Sequence, residues 1–287
     1  MAPFYRIRHS AADLVRKGRR LARPAVISQA NLKRFLKEVD SRPRMSLPLE
    51  PPRSIAVVVP CFRHAAYLPK MFESIVAQTR PPDEVIFIDD GSPDNSSEVM
   101  RTLFAAHPSP SGGHYSLLVN DRNLGQAASL NRAIATASSD LIMILNADDY
   151  LMHDAVESML NLFDKHRGVA LIGAASIHFE GDEALDASQK VSTAHAAPGL
   201  PVTVHRPEDV AGYRNYTDLN MTHSGSTFLK LAWEAVGGYR QRAQRCVPFS
   251  DRDFQLRVNA LWPVEVADKT PYSFWRTDSS VDMGRES

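Results

Sequence analysis

From residue 55 to residue 145 the chain alternates short apolar runs with segments whose apolar residues recur at helical spacing. An apolar run without alternation is typical of a strand buried on both faces, and such strands separated by helices indicate a parallel sheet with helices on both faces. The pattern therefore predicts an α/β fold with a mostly parallel sheet. The expected strands are residues 55–59, 85–88, 116–119 and 141–145, and the expected helices are residues 68–75, 95–104 and 125–137.

Polar residues follow three of these strands at the point where each strand ends. They occupy residues 60–63, 89–92 and 146–149. Right-handed crossovers bring the carboxyl ends of parallel strands to one rim of the sheet, where open sheets bind ligands. These three segments are therefore expected to share one site.

The segment that follows residues 141–145 carries an amide and two carboxylates. Asn146 and Asp148 are two residues apart, so an extended backbone would direct both side chains to one point, and their oxygen atoms suit Mg²⁺ or Mn²⁺. The alternative is an acidic turn in which Asp149 caps a helix that begins near His153. The segment alone does not decide between a cation site and a helix cap.

The first 53 residues carry a basic excess that the rest of the chain balances. Residues 1–53 contain 13 Lys or Arg against 4 Asp or Glu, and the remainder contains 20 against 29. Residues 10–21 and 28–39 have amphipathic helical patterns, and Ser28 is the expected N-cap of the second. A proline-rich linker follows, and it cannot be helical. The predicted domains are therefore a helical arm with this linker at 1–53 and a catalytic domain at 54–287. The linker prolines are Pro43, Pro48, Pro51 and Pro52.

Two roles are open for this arm. The basic, partly apolar residues 10–39 could bind the anionic inner face of a membrane, where each Lys or Arg contributes about 1 kcal/mol. Alternatively, the apolar stripe packs on the acidic body, since short helices depend on tertiary contacts. That stripe consists of Leu32, Phe35, Leu36 and Val39.

Composition excludes several classes of protein. Two cysteines, Cys61 and Cys246, provide neither a disulfide framework nor a zinc site. No apolar run approaches the ~18–20 residues of a membrane span, and residues 1–20 lack the apolar centre of a secretory signal. A cytoplasmic protein is expected.

Beyond residue 150 the pattern becomes less regular. A helix is expected around residues 156–163, followed by strands at 169–172 and 226–229 and a helix that Gly237 ends. Residues 180–215 lose periodicity and predict a long loop. Asp251 and Asp253 lie at the head of a further helical pattern, where acidic residues favour the helix dipole. From the residues alone, Asp251 and Asp253 indicate only the start of a helix.

Several segments in this order resemble the inverting, nucleotide-sugar-dependent family-two glycosyltransferases. The resemblance runs from residue 55 to about residue 280, and it implies a GT-A type, Rossmann-like fold. It is carried by VVVPCFRHAAYL (57–68), SIVAQT (74–79), EVIFIDDGSPDNS (84–96), RNLGQAASLNRAIATASSDLIMILNADDYL (122–151), STFLKLAWEAVGGY (226–239) and SDRDFQLRV (250–258). The order and spacing of these segments together are more specific than any one of them.

The resemblance assigns roles to individual residues. It implies that the donor is a nucleotide sugar, expected to be a UDP-sugar, and that the acceptor is a glycan or a lipid-linked molecule, with no nucleic-acid partner. It places a divalent cation, Mg²⁺ or Mn²⁺, on Asp148 and more weakly on Asn146, and it makes Asp251 the general base. The implied nucleotide-sugar site comprises Pro60, Phe62, Asp89, Asp90, Asn123, Gly125, Asn146 and Ala147.

The chain also departs from the family pattern. The metal motif begins with Asn146 instead of Asp, Ser250 replaces the Glu before the base, and residues 272–277 lack the His that is common in the tail. Arg63 and His64 replace the usual Asn and acidic residue. The alternative is therefore a degenerate member that binds nucleotide or glycan without turnover. The loop at residues 60–68 lacks the Gly-rich basic segment expected of a nucleotidyltransferase.

Overall fold

The computed structural model describes residues 27–41, 46–107, 109, 113–179, 203–207 and 221–276. The described strands are β1 (Ile55–Cys61), β2 (Glu84–Asp89), β3 (His114–Val119), β4 (Leu141–Ile144), β5 (Tyr150–Leu151), β6 (Leu171–Phe179), β7 (Thr203–His205), β8 (Thr227–Leu229) and β9 (Val264–Arg276). They form one nine-stranded sheet in the order β3-β2-β1-β4-β8-β6-β9-β5, and β7 pairs with β9.

The first half of the sheet is parallel, and its three inner strands are buried on both faces. β3, β2, β1 and β4 pair in parallel, and every residue of β1, β2 and β4 is buried. Since neighbouring residues of a strand point to opposite faces, both faces of these three strands are covered, while the edge strand β3 is half-buried or exposed. The helices between these strands are α2 (Leu68–Val76), α3 (Ser96–Ala106) and α4 (Gln126–Thr136), and α5 (Ala155–Lys165) follows β5. The predicted alternation and mostly parallel sheet are confirmed.

The second half of the sheet differs from a simple continuation of this pattern. β8 lies antiparallel between β4 and β6, and β6 then pairs in parallel with β9. β6 continues to Phe179 instead of ending at residue 172, and β9 is 13 residues long. β5, only two residues long, pairs with the end of β9. This pairing brings the end of the described chain beside the segment that follows β4.

An N-terminal helix, α1 (Gln29–Asp40), lies where the second amphipathic pattern predicts it. The Ser28 side chain accepts a hydrogen bond from the Asn31 backbone N–H, as expected of an N-cap. Leu32 and Phe35 are buried in the same apolar core as the sheet, and Leu36 and Val39 pack against that core. These contacts agree with the alternative in which the apolar stripe of this helix packs on the body of the protein. The first amphipathic pattern, at residues 10–21, lies outside the described residues.

Two α-helices and a short 3₁₀ helix lie between β8 and β9. α6 (Lys230–Val236) ends at Gly237, which has the left-handed conformation (φ +75°) expected of a helix-terminating glycine. A short 3₁₀ helix (Arg242–Gln244) precedes α7 (Ser250–Asn259). Among the described residues, no helix combines the length and apolarity needed to cross a membrane.

Candidate active site

The carboxyl ends of β1, β2 and β4 lie side by side at one rim of the sheet. Cys61 pairs with Asp89 on one side of β1, and Val58 pairs with Ile144 on the other. The three polar segments that follow these strands are therefore brought together, as the chain order predicted. Which of their side chains bind substrate remains a prediction.

The two acidic residues at the end of β2 hold the rim together. Asp89 Oδ1 accepts a hydrogen bond from the Ser92 N–H at 2.9 Å. Asp90 is buried, and its two oxygens accept from the backbone N–H groups of Leu124 (2.8 Å) and Gly125 (2.9 Å). Asp90 therefore fixes the loop that contains Asn123 and Gly125, which the resemblance places near a diphosphate.

Gly125 starts helix α4 in a conformation that favours glycine. Its φ is +85°, and the Asn123 side-chain oxygen accepts a hydrogen bond from its N–H at 3.0 Å. No atom lies within 4 Å of a Cβ built on Gly125, so its backbone conformation, not lack of space, selects glycine. The N-terminus of α4 therefore begins at the rim, and the positive end of a helix dipole favours anions.

The end of β1 contributes one buried and one half-buried ring. Pro60 is buried within β1, and Phe62 is half-buried beyond it. Arg63 has a φ of +63°, and its N–H donates to Ser92 Oγ at 2.9 Å. Burial raises the pKa of the neighbouring Cys61 thiol to about 12, so this thiol stays protonated at neutral pH.

The segment after β4 folds as a tight turn. The Asp149 N–H donates to the Asn146 carbonyl at 3.1 Å, so the extended backbone expected between Asn146 and Asp148 is not present. An extended backbone was the condition for directing both side chains to one point, and this hydrogen bond closes the turn instead. Ala147 is buried within the turn, and Asp148 is half-buried. Asn146 donates through Nδ2 to Asp149 Oδ2 at 3.1 Å, and its Oδ1 accepts from Gln126 at 3.4 Å.

Asp149 is the internal anchor of this turn. Its carboxylate accepts hydrogen bonds from Ser224 Oγ (2.5 Å) and from the Arg276 backbone N–H (3.0 Å). Burial, and secondarily the charge of Asp148, raises the pKa of Asp149 to about 7. Helix α5 has Asp154 as its N-cap, so the alternative in which Asp149 caps that helix is wrong.

Arg276 lies against the same turn, near the end of β9. Its Nε donates to the Asp148 carbonyl at 3.4 Å, and its Nη2 donates to the Tyr150 hydroxyl at 2.6 Å. The guanidinium also lies 4.6 Å from the centre of the Tyr67 ring. The sequence analysis noted the absence of a His at residues 272–277 and did not identify Arg276. A lone Arg late in a strand carries no local signal, and only the pairing of β9 with β5 brings it here.

The oxygen donors of the turn fit a hard cation only in part. Asp148 supplies one carboxylate and Asn146 one neutral amide oxygen. Within the described ranges, no three His, Cys, Asp or Glu side chains are grouped so that they could hold a metal ion by themselves. Mg²⁺ commonly binds through one or two carboxylates plus substrate phosphates and water. The turn therefore fits a cation that is shared with a bound diphosphate.

The predicted base lies on a different element from the turn. Asp251 is half-buried in the first turn of α7. Asp253 is fully buried instead, and it pairs with Arg257 at 2.9 Å. Of the two carboxylates at the head of this helix, only Asp251 is accessible to a substrate.

Two residues that sequence reasoning did not single out lie close to Asp251. The His223 Nε2 and the Tyr239 hydroxyl are 3.1 Å apart, and the Tyr239 ring stacks on Phe254 of α7 with 4.6 Å between centroids. Burial lowers the pKa of His223, and the charge of Asp251 raises it, with a net lowering below the ordinary value. The His223 imidazole is therefore largely neutral at neutral pH, and it lies within electrostatic range of Asp251.

One loop connects this region with the turn after β4. Ser224 Oγ accepts from the Asn146 N–H at 3.0 Å and donates to Asp149, and His223 is its direct neighbour. The loop at residues 222–226 therefore contacts the candidate cation turn on one side and the surroundings of Asp251 on the other.

Comparisons with known proteins agree with this architecture. The family model described as glycosyl transferase family 2 matches residues 56–227, more than half of the chain. A chondroitin synthase from Escherichia coli is 22% identical over 219 residues, which are 76% of this chain and 28% of the synthase. The mannosyltransferase PcManGT from Pyrobaculum calidifontis, in complex with GDP-Man and Mn²⁺, has a TM-score of 0.56 at 17% identity, covering 88% of this chain and 66% of that chain.

A second solved structure, S. aureus TarS 1-349 in complex with UDP-GlcNAc, has a TM-score of 0.55 at 13% identity and covers 78% of this chain and 59% of that chain. At such identities the solved structures show the fold alone, which is the GT-A type. The chain spans less than a third of the chondroitin synthase that it matches. Because the family model covers most of the sheet and the rim described above, the chain belongs to glycosyl transferase family 2.

Proposed function

We propose that this chain transfers a sugar, with inversion, from a UDP-sugar to a hydroxyl of a glycan or lipid-linked acceptor in polysaccharide synthesis. The observation that carries the proposal is the position of the loop at residues 222–226 between the turn after β4 and the region of Asp251. Ser224 contacts the turn that contains Asp148, and the adjacent His223 is near enough to Asp251 for the charge of Asp251 to raise its pKa. A donor held at the turn and an acceptor held at α7 would therefore meet at this loop.

The donor half is assigned to the rim formed by β1, β2 and β4. Pro60 and Phe62 would line the nucleotide base, and Asp89 or Asp90 would meet the base or ribose. Asn123, Gly125, Asn146 and Ala147 would lie along the diphosphate. The hydrogen bonds of Asp90 to the 124–125 backbone support its place in this half, because they fix the loop that would face the phosphates.

Asp148 is proposed as the main protein ligand of a divalent cation, Mg²⁺ or Mn²⁺, with Asn146 as a weaker ligand. Such a cation, when bound, stabilises charge on the departing diphosphate and orients the donor. Support comes from the oxygen donors at the turn and from PcManGT, whose structure contains GDP-Man and Mn²⁺. The internal bonds of Asp149 would keep Asp148 in position.

Asp251 is proposed as the general base. As the acceptor oxygen attacks the anomeric carbon, its proton passes to the Asp251 carboxylate, and the bond from that carbon to the diphosphate oxygen breaks. Attack from the side opposite the leaving group inverts the anomeric centre. Help of this kind is typically worth ~10²- to 10⁴-fold in rate. His223 and Tyr239 are proposed to contact the acceptor or to hold Asp251, since the charge of Asp251 acts on both side chains.

The N-terminal helix supports a peripheral location at the inner face of a membrane. Lys33, Arg34 and Lys37 are exposed on α1, while Leu32 and Phe35 are buried in the protein. Attraction to anionic lipid by this helix would therefore be electrostatic, and it would weaken with salt. Sedimentation of the full chain with anionic vesicles at low salt tests this location, and absence of binding there contradicts it.

A panel of nucleotide sugars assayed with Mg²⁺ or Mn²⁺ tests the function itself. We expect transfer or slow hydrolysis of a UDP-sugar that depends on the cation. A second candidate, binding without turnover, is favoured by the hydrogen bonds that tie Asn146 to Asp149 and Gln126. Nucleotide binding without turnover of any donor would support that second candidate and overturn the first.

A further inference from the structure

We propose that α1 is a positioning element of the catalytic site, which holds the segment at residues 240–253 and, through it, Asp251. This inference rests on the proposed role of Asp251 as the base. It extends the functional unit to a helix that lies outside the region matched by the family model, residues 56–227.

The first set of contacts joins α1 to backbone groups of the 240–246 segment. The Ser28 N–H donates to the Cys246 carbonyl at 2.7 Å, and Asn31 Nδ2 donates to the Arg245 carbonyl at 2.8 Å. At the other end of the helix, Arg240 pairs with Glu38 at 2.8 Å. These contacts attach both ends of α1 to a segment whose regular structure is one short 3₁₀ helix.

The second set of contacts is made by Phe35, which has no exposed surface. Its ring centre lies 5.2 Å from the guanidinium carbon of Arg240 and 5.8 Å from that of Arg257. Cation–π contacts of this kind are stronger when the ring and the cation are desolvated. Phe35 therefore packs directly against Arg257, the buried charged residue in the last turn of α7.

Arg257 transmits this packing to the head of α7. Its Nε donates to Asp253 at 2.9 Å, and Asp253 Oδ1 accepts the Cys246 N–H at 2.5 Å. The Nη1 and Nη2 of Arg257 donate to the carbonyls of Val236 (2.8 Å) and Gly238 (2.7 Å). One buried guanidinium thus fixes both the first turn of α7 and the chain that leads to Tyr239.

Asp251 lies two residues before Asp253 in that first turn, so its position depends on this network. The donor half is built on other elements, at the ends of β1, β2 and β4. Loosening α1 should therefore slow transfer more than it weakens nucleotide binding, because a small displacement of a base costs rate steeply.

The test uses the full chain with Asn31→Ala and Phe35→Ala. Asp40→Ala serves as a matched control, since Asp40 is exposed on the same helix. We expect the two α1 variants to lower kcat for transfer about tenfold while the Kd for UDP changes by less than about twofold. Asp40→Ala should leave both values unchanged. Equal losses of kcat and UDP affinity, or an unchanged kcat in folded Asn31→Ala protein, would overturn the inference.

A double-mutant cycle separates this inference from the proposed function. In an Asp251→Asn background, Asn31→Ala should not lower the residual transfer rate further, because it acts through Asp251. An additional tenfold loss there would indicate a general structural role and refute the positioning role. If Asp251→Asn alone keeps the full rate, the proposed base fails, whatever the α1 variants do.

Discussion

Asp251 and Asp253 occupy the same helical turn, yet the structure predicts opposite consequences when each loses its charge. Asp253 and Arg257 are both 0% exposed and form an ion pair at 2.9 Å, while Asp251 is half-buried. Breaking a buried ion pair by removing one partner costs about 3–5 kcal/mol, because it leaves the other charge uncompensated. Asp253→Asn is therefore expected to lower the free energy of unfolding by about 3–5 kcal/mol.

Asp251→Asn should be nearly neutral for stability by comparison. Its carboxylate lies at the positive end of the α7 dipole, an interaction worth about 0.3–1 kcal/mol. For a chain of this size 1 kcal/mol corresponds to roughly 2–4 °C in Tm, so the expected losses are roughly 6–20 °C for Asp253→Asn and below about 4 °C for Asp251→Asn.

Urea unfolding followed by far-UV circular dichroism measures both variants directly. The denaturant slope provides the control, since a changed slope would mean that the unfolding transition itself has changed. Equal losses of stability in the two variants, or a loss below about 1 kcal/mol for Asp253→Asn, would refute the distinction between a structural Asp253 and an accessible Asp251.

Three further predictions concern the donor half. Gly125→Ala should lower stability by about 1–3 kcal/mol, because a φ of +85° with a ψ of 152° lies in a backbone region that essentially only glycine adopts. Gly168→Ala, at a φ of +79° with equally open space, should also lower stability, but only Gly125→Ala should weaken UDP binding by calorimetry. Equal effects of the two variants on UDP binding would contradict the assignment of Gly125. Ser224→Ala removes two hydrogen bonds from the turn after β4, so it should lower stability by about 1–3 kcal/mol and also lower the cation-dependent affinity for UDP. A loss of stability with unchanged UDP affinity would show that UDP binding does not depend on Ser224. Asn146→Asp should tighten Mn²⁺ binding in the presence of UDP by about tenfold or more, since a charge about 4 Å from a cation gains several kcal/mol even at an effective dielectric constant of about 20. An unchanged Mn²⁺ titration would place Asn146 outside the coordination shell.

Local patterns were sufficient for the parts of the site that lie at the ends of parallel strands. The apolar runs of β1, β2 and β4 and the amphipathic pattern of α1 depend on periodicity, which sequence carries directly. The connection rules of α/β folds then bring the three strand ends to one rim. The same reasoning located Asp251 and Asp253 at a helix start. That Asp253 is buried in an ion pair with Arg257 while Asp251 is accessible was visible only in the structure.

The parts that sequence did not reveal depend on contacts between distant segments. Arg276 reaches the turn at Asp149 because the end of β9 pairs with β5, a two-residue strand with no periodicity of its own. His223 and Tyr239 meet across two loops, and the segment 226–239 that ends at Tyr239 does not indicate this contact. The turn at Asn146 is closed by the hydrogen bond from the Asp149 N–H to the Asn146 carbonyl and is held by Ser224, which is distant in sequence.

The central claim, that Asp251 removes the acceptor proton while Asp148 helps to hold the donor, is tested most directly by measuring donor binding and transfer rate side by side in Asp251→Asn and Asp148→Ala. Asp251→Asn is expected to bind the UDP-sugar with a Kd within about twofold of wild type and to lose transfer by ~10²-fold or more, whereas Asp148→Ala is expected to lose cation-dependent donor binding. Transfer by Asp251→Asn at the wild-type rate would contradict the account.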